Sequence, residues 1–345
     1  MPAWRMNQSV GQWRQIASTA MAAAPIAVQT YPTLGNSGPA SKVIAWTSFA
    51  LDTRDSSLYS AANGGHQDYA GNEVNRIRLS DNVPAWTESL ASTPAAQIVA
   101  SATHYADGQP ASRHSYYGEV VNEQRNRVMT LGGSRWGSGD MVPTMDGFSP
   151  TTNTWDAART FPDGLPELYA LPGAAIVEHK ATGDIYAFAN FNVLRWSNAS
   201  NTWTRLASAT GAYGHYSASA FDTRRNRILV VGGNANDRGL YDVATNSVQN
   251  VSFSGPDAGS LNGDGNGMVY DPLLDAFLLR KEGPGSTIYR INAQTFSVDT
   301  LPNSGGTSLP TAQNGVWNRF LYVPALKGVV YVPTYTDSVW FLRTN

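Results

Sequence analysis

The stretch Phe221-Asp222-Thr223-Arg224-Arg225-Asn226-Arg227-Ile228-Leu229-Val230-Val231-Gly232-Gly233 decides how this chain is read. An apolar segment runs into a polar tip, the tip turns into a continuous Ile-Leu-Val-Val strand, and the strand stops at a glycine pair. Polar turn residues between β-branched runs are the signature of an antiparallel hairpin. After it come Leu240-Tyr241-Asp242 and a Thr-Asn turn, which supply a third strand and the start of a fourth. The same plan appears in Val120-Val121-Asn122-Glu123-Gln124-Arg125-Asn126-Arg127 before Val128-Met129-Thr130-Leu131-Gly132-Gly133, and in Leu51-Asp52-Thr53-Arg54-Asp55 before Leu58-Tyr59-Ser60 and Gly64-Gly65. Weaker copies centre on Gly183-Asp184-Ile185-Tyr186, Tyr270-Asp271-Pro272 and Tyr322-Val323-Pro324.

Six units at a spacing of about fifty residues point to a repeat architecture. A fourth-strand marker follows in the first five units: Trp86, Trp155, Trp203, Val248 and Phe296. The sixth unit ends at Asn345 without one, while Gly11-Gln12-Trp13-Arg14-Gln15-Ile16 stands unassigned at the other end. Residues 11–17 are therefore expected to complete the last sheet, closing a ring and hiding two edges that would otherwise be open to aggregation. The expected fold is all-β: a single six-bladed β-propeller domain over residues 1–345, with seven blades as the alternative. A β-sandwich with coincidental turns accounts for neither the orphan strand nor the recurring Gly-Gly.

Composition agrees. The chain has 345 residues, 32 Gly and 19 Pro, and only 14% are charged, well short of the supply that exposed helices use. With no cysteine, disulfides, thiolate nucleophiles and thiolate metal sites are all excluded. A net charge of -2 with scattered cations argues against nucleic acid as a partner. Only Lys42, Lys180, Lys281 and Lys327 are lysines; the arginine bias suits planar carboxylates. No apolar run reaches a membrane-spanning length of about 18 residues. Residues 1–28 carry Arg5 and Arg14 ahead of a small-residue run but lack a clean apolar core, and they read as mature chain rather than signal peptide.

The strand ending in Gly-Gly, the small or aromatic residue that opens the next element and the Trp that closes each unit resemble kelch repeats, over roughly residues 11 to 345. This places the chain beside the central domain of galactose oxidase. More narrowly, Asn63-Gly64-Gly65-His66-Gln67-Asp68-Tyr69-Ala70-Gly71-Asn72-Glu73-Val74 with Ser112-Arg113-His114-Ser115-Tyr116 is similar to a group of bacterial and phage kelch-like proteins. In such a fold the inner strands start, and the second strands end, at one rim of the central channel. The rim candidates are His66, Asp68, Tyr69, Arg135, Trp136, Asn234, Arg238, Arg280, Lys281 and Tyr335 from second-strand ends. Trp46, Arg113, His114, Tyr116, Tyr213, His215, Asn266 and Asn314 come from inner-strand openings.

Several chemistries drop out. Copper radical oxidation needs a Cys–Tyr crosslink that this chain cannot make. No His-Glu-X-X-His, P-loop or nucleophile-elbow motif is present. The rim set does match β-elimination on a uronic-acid polysaccharide, which needs a cation on the carboxylate, a base and an acid. A loose resemblance to β-propeller ulvan lyases implies the same reading. It assigns Arg135 and Arg113 to the carboxylate, His114 or Tyr116 as base, and His66 or His215 as acid or positioning group. Tyr69, Trp136, Tyr213, Arg238, Arg280 and Tyr335 would contact substrate. No cofactor is expected; His66 with Asp68 leaves a divalent metal open but unassigned. The alternative is a non-catalytic glycan-binding or structural propeller of a virion or cell surface. The expected partner is an acidic polysaccharide, the expected state a monomer, and the expected location secreted, cell-surface or virion, with the cytoplasm left open.

Overall fold

The computed structural model describes residues 1–24, 35–170, 172–208, 216–232, 238–307 and 309–345. Six four-stranded antiparallel sheets stand around one axis. The first blade is Ala50–Asp52, Ser57–Ala61, Val74–Arg78 and Trp86–Leu90; the second is Glu119–Asn122, Arg127–Leu131, Met145–Ser149 and Thr154–Trp155. The third runs Ala175–His179, Asp184–Ala189, Asn192–Ser197 and Thr202–Ser208, and the fourth Ala218–Asp222, Arg227–Val231, Arg238–Asp242 and Ser247–Asn250. The fifth is Gly267–Asp271, Ala276–Arg280, Tyr289–Asn292 and Val298–Thr300. The sixth takes Phe320–Val323, Gly328–Tyr331 and Trp340–Arg343 from the C-terminal end and Trp13–Gln15 from the N-terminal end, in the register Trp13 to Leu342 and Gln15 to Trp340. Six blades, not seven, close the ring, and the strand within residues 11–17 is the one that closes it.

The repeating tip has a physical cause. Asp222 Oδ1 accepts the backbone N–H of Arg224 and Arg225, Asp271 Oδ1 those of Leu273 and Leu274, Asp52 Oδ1 that of Arg54, and Asn122 Oδ1 that of Arg125. The residue just before or at the start of each second strand then sits at positive φ: Ser56, Asn126, Gly183, Asn226, Asp275 and Lys327. Asx-turn chemistry followed by one left-handed residue reverses the chain. One expected marker is displaced: Phe296 lies in a turn at φ +56, and the fourth strand of its blade starts at Val298. Trp86, Trp155, Trp203 and Val248 do lie on fourth strands.

Apolar side chains fill the spaces between neighbouring blades, as where Met129 and Leu131 join Ile176, Ala187 and Leu194. The inner strands surround a channel cavity of about 170 Å³. Consecutive residues of most of these strands line it, 119–121, 176–178, 219–221 and 268–270 among them, because an innermost strand offers the channel its unpaired backbone edge.

The ends of the channel differ. Two to four residues ahead of each inner strand stands a residue in the left-handed region: Trp46, Tyr116, Gly173, Tyr216, Gly265 and Trp317, with φ of +50, +52, +75, +60, +63 and +50. Backbone hydrogen bonds join several of them across blades: Tyr116 N–H to Trp46 O at 2.7 Å, Tyr216 to Gly173 at 3.0 Å, Gly265 to Tyr216 at 3.1 Å and Trp317 to Gly265 at 3.0 Å. Tyr117, 1% exposed, crosses beneath them to donate its hydroxyl to Asn266 O at 2.8 Å and meets Trp317 edge-on. This aromatic ring stoppers the rim end. Left-handed geometry costs an aromatic residue about 1–2 kcal/mol each, so the ring is held by its surroundings rather than by local preference.

Candidate functional site

A small sheet rises from the rim between the first and second blades. Strand Arg113–His114 pairs antiparallel with Ser134–Arg135, and Asn63 bridges Arg113 on its other side. Gly65, at φ +56, lets these segments approach: a Cβ there would lie 2.1 Å from the His114 nitrogen. The next residue, His66, is itself left-handed at φ +40 and exposed.

Alternation along the short strand separates its two basic side chains. Arg113 turns inward and is 1% exposed. It donates to Ala111 O, Gly132 O, Thr144 Oγ1 and Asp146 Oδ2, and Asp146 Oδ1 also takes His104 Nε2 at 2.8 Å. His114 turns the other way, is itself only 3% exposed beneath His66 and Trp46, and bonds through Nε2 to Asp68 Oδ2 at 2.8 Å, while Ser37 donates to Asp68 Oδ1 at 3.0 Å. Each of the two thus has its own carboxylate. Arg113 is a buried tie between strands and cannot reach a polysaccharide, contrary to its expected substrate contact.

Three aromatic neighbours enclose His114. Trp46 lies 5.1 Å away at 30°, His66 meets it edge-on at 5.7 Å, and Tyr116 edge-on at 6.2 Å. Burial pushes the His114 imidazole below its ordinary value, opposed by the Asp68 carboxylate. The hydrogen bond from His114 holds Asp68 below the usual carboxylate range. At neutral pH this pair is a neutral imidazole donating Nε2–H to an ionised carboxylate. That hydrogen bond fixes the tautomer and leaves Nδ1 as the basic nitrogen.

The remaining expected residues divide. Arg135 and Trp136 are partly exposed beside His66, but the Arg135 guanidinium is paired with Asp140 Oδ2 at 2.9 Å. Tyr116 is 7% exposed within the aromatic ring, stacked on Tyr216 at 5.7 Å, and burial drives its hydroxyl well above the ordinary tyrosine range. That corrects its expected role as base. Tyr69 is 1% exposed and donates to Glu73 Oε1, so it supports the loop from below rather than meeting substrate. Tyr335 lies half-buried against the Lys42 ammonium, and Arg238 bonds Asn262 Oδ1 and covers Phe253. Arg280 is buried at the end of its strand in the fifth blade. Asn266 is buried among backbone carbonyls, Asn314 donates to Ile44 O, and Lys281 donates to Ser260 O. His215, Tyr213 and Asn234 lie outside the described residues.

His66, Asp68, His114 and Trp46 therefore come together, with Arg135 and Trp136 alongside. Glu73, from the same loop, forms a buried ion pair with Lys42 at 2.8 Å. Sequence reasoning missed Trp317 and Tyr216 as members of the aromatic ring, although both stand just ahead of inner strands like Trp46 and Tyr116. Among the described residues no group of three or more His, Asp or Glu side chains is arranged to hold a metal ion. No helix among them is long and apolar enough to cross a membrane.

No family model matches this sequence, and no curated protein matches it. Among solved structures, that of a protein named YjhT superposes with a TM-score of 0.57 over 89% of this chain and 95% of its own length, at 11% identity. At that identity the likeness supports the propeller fold and carries no activity.

Proposed function

We propose that the rim around Trp46, His66, Asp68 and His114 binds an acidic glycan. The observation that carries this reading is an aromatic face, Trp46, set against two imidazoles and an anchored carboxylate on a raised edge, with Trp136 and Arg135 beside it. Sugar rings stack on indole faces, and the exposed His66 imidazole and the Arg135 guanidinium are donors that suit carboxylates and hydroxyls. Strained left-handed backbone at Trp46 and His66 supports a binding role, since such strain gathers at functional positions. A partner of this kind belongs outside a cell or on a virion.

A second reading, β-elimination, is favoured by one observation: the Asp68–His114 pair is the arrangement of a general base oriented by a carboxylate. His114 would take the proton next to the uronate carboxylate. His66, exposed and 5.7 Å from it between ring centres, would return one to the leaving oxygen. Charge on the substrate carboxylate would fall to Arg135, since Arg113 is committed to Asp146.

The two readings separate in one experiment. The protein is incubated with ulvan, alginate, pectate and glucuronan, with a neutral glucan as control, and both retention and ultraviolet absorbance of unsaturated product are followed. Retention of an acidic polymer, lost in Trp46→Ala, without absorbance growth assigns a binding module. Absorbance growth abolished in His114→Gln with retention kept assigns the lyase. Retention of none of the acidic polymers, or equal retention of the neutral glucan, overturns the proposal.

A further inference from the structure

We infer that Arg280 provides a carboxylate-binding site of its own, at the rim end of the second strand in the fifth blade, that receives a uronate group. This rests on the acidic-glycan reading and adds a second point of attachment, on a different blade from His114.

Arg280 ends the strand Ala276–Arg280 and is 1% exposed. Its guanidinium carbon lies 4.3 Å from the ring centre of Tyr331 in the neighbouring blade. Nη1 donates to Gly285 O at 3.0 Å, but Nε and Nη2 have no partner and are shielded from water. Those two nitrogens form one edge of the guanidinium and present parallel donors spaced for the two oxygens of a carboxylate.

The chain uses that same edge elsewhere. Arg54 grips Asp52 through Nε and Nη2 at 2.9 and 2.6 Å, Arg127 grips Asp156 at 2.7 and 3.0 Å, and Arg290 grips Asp299 at 2.8 and 2.5 Å. At Arg280 the fork is built, stacked and left without its carboxylate. Residues Arg280, Lys281, Glu282, Pro284, Thr287 and Tyr289 line a pocket of about 250 Å³ here. Glu282 does not fill the fork: its Oε2 accepts the Gly315 N–H at 2.6 Å.

Entry requires the 283–286 turn to shift, because the open donors are covered. The turn is suited to that: a Cβ built on Gly283 or Gly285 would meet nothing within 4 Å, so the backbone there has free space. Displacing the Gly285 carbonyl would also free Nη1, beside the unpartnered Nε and Nη2. Thr287 and Tyr289 would then flank the incoming sugar.

The test is isothermal titration of the full chain with sodium D-glucuronate, its methyl ester, D-glucose and inorganic phosphate. Glucuronate is expected to bind, the ester and glucose at least tenfold more weakly. Arg280→Lys, which keeps the charge but loses the planar fork, is expected to cost at least tenfold. As a measurement independent of any variant, the Arg280 Nε–H resonance of the wild-type protein should move on adding glucuronate and stay fixed on adding the ester. Unaltered binding in Arg280→Lys, an unmoved resonance, or equal binding of the ester overturns the inference, and tighter binding of phosphate makes it a general anion site instead. If acidic polymers are still retained through Trp46 while Arg280 proves inert, only this inference fails. If glucuronate binds at Arg280 while no polymer is retained, only the glycan reading of the His114 rim fails.

Discussion

Replacing Lys42 by Met should destabilise the propeller by about 3–5 kcal/mol, because it leaves a buried carboxylate without its cation. Lys42 and Glu73 are each 1% exposed at their side chains and meet at 2.8 Å. Lys42 Nζ also donates to Asn75 Oδ1 at 3.1 Å. Without the ammonium, Glu73 Oε1 keeps only the Tyr69 hydroxyl, and Oε2 already has no partner. Glu73→Gln removes the negative charge instead and strands the ammonium, at a cost of similar size. The double variant K42M/E73Q removes both charges from the same place, so its loss should fall at least 2 kcal/mol short of the sum of the two single losses. Urea unfolding followed by tryptophan fluorescence measures all four proteins, and an unchanged m-value certifies that the same surface is exposed in each. Tyr69 links this pair to the loop that carries His66 and Asp68, so the single variants should also weaken glycan retention more than the double variant does. Additivity within about 0.5 kcal/mol, or a Lys42→Met loss under 1 kcal/mol, would refute the claim that the pair is coupled and dry.

Gly65→Ala should abolish glycan retention while leaving the propeller folded by circular dichroism, since its methyl would sit 2.1 Å from the His114 nitrogen at a left-handed position; retention at wild-type level would show that the small sheet yields easily. Trp13→Ala should cost about 3–5 kcal/mol in urea unfolding, because the indole is 2% exposed in the core between the fifth and sixth blades. Burial holds the His114 pKa below its unfolded value of about 6.5, so the unfolded chain binds more protons below that pH and stability falls as pH drops from there. The Asp68 contribution, from a lowered pKa, is present above about pH 4 and lost at more acidic pH. Unfolding midpoints between pH 7 and pH 5 should accordingly slope less in His114→Gln than in the wild type. At the opposite face, Arg225 holds Asp275 of the next blade through both oxygens at 2.7 and 2.6 Å, yet both side chains are 27% exposed. A double-mutant cycle there should give no more than about 1 kcal/mol.

The propeller was legible because its determinants are local and repeated. An Asp or Asn at the tip, a left-handed residue next and an alternating strand after it recur often enough to expose the spacing. The orphan strand around Trp13 then had one place to go. The site was legible only in part, because whether a side chain faces rim or core turns on a single residue of register. Arg113 and His114 are adjacent in sequence and opposite in space, and nothing in their spelling says which of them turns inward. Lys42 was hidden for a different reason: its partner lies 31 positions away, just ahead of the third strand of the first blade. Phe296 misled because an aromatic in a turn and one on a strand have the same composition. Tyr216 and Trp317 escaped notice beside Trp46 and Tyr116 because left-handed backbone is expected of glycine and asparagine, not of aromatic residues.

The pairing of Trp13–Gln15 with Trp340–Arg343 also sets an order of events on the ribosome. The first strand to emerge is among the last to find its place, some 320 residues of translation later, which at about 5–20 residues per second is roughly 15 to 65 seconds. Throughout that interval five blades can pack as they appear while the outer strand of the sixth waits for its other three. The waiting segment is short and interrupts its tryptophan with Gln12, Arg14 and Gln15, a spelling that keeps an unpaired nascent strand soluble until its partner leaves the tunnel.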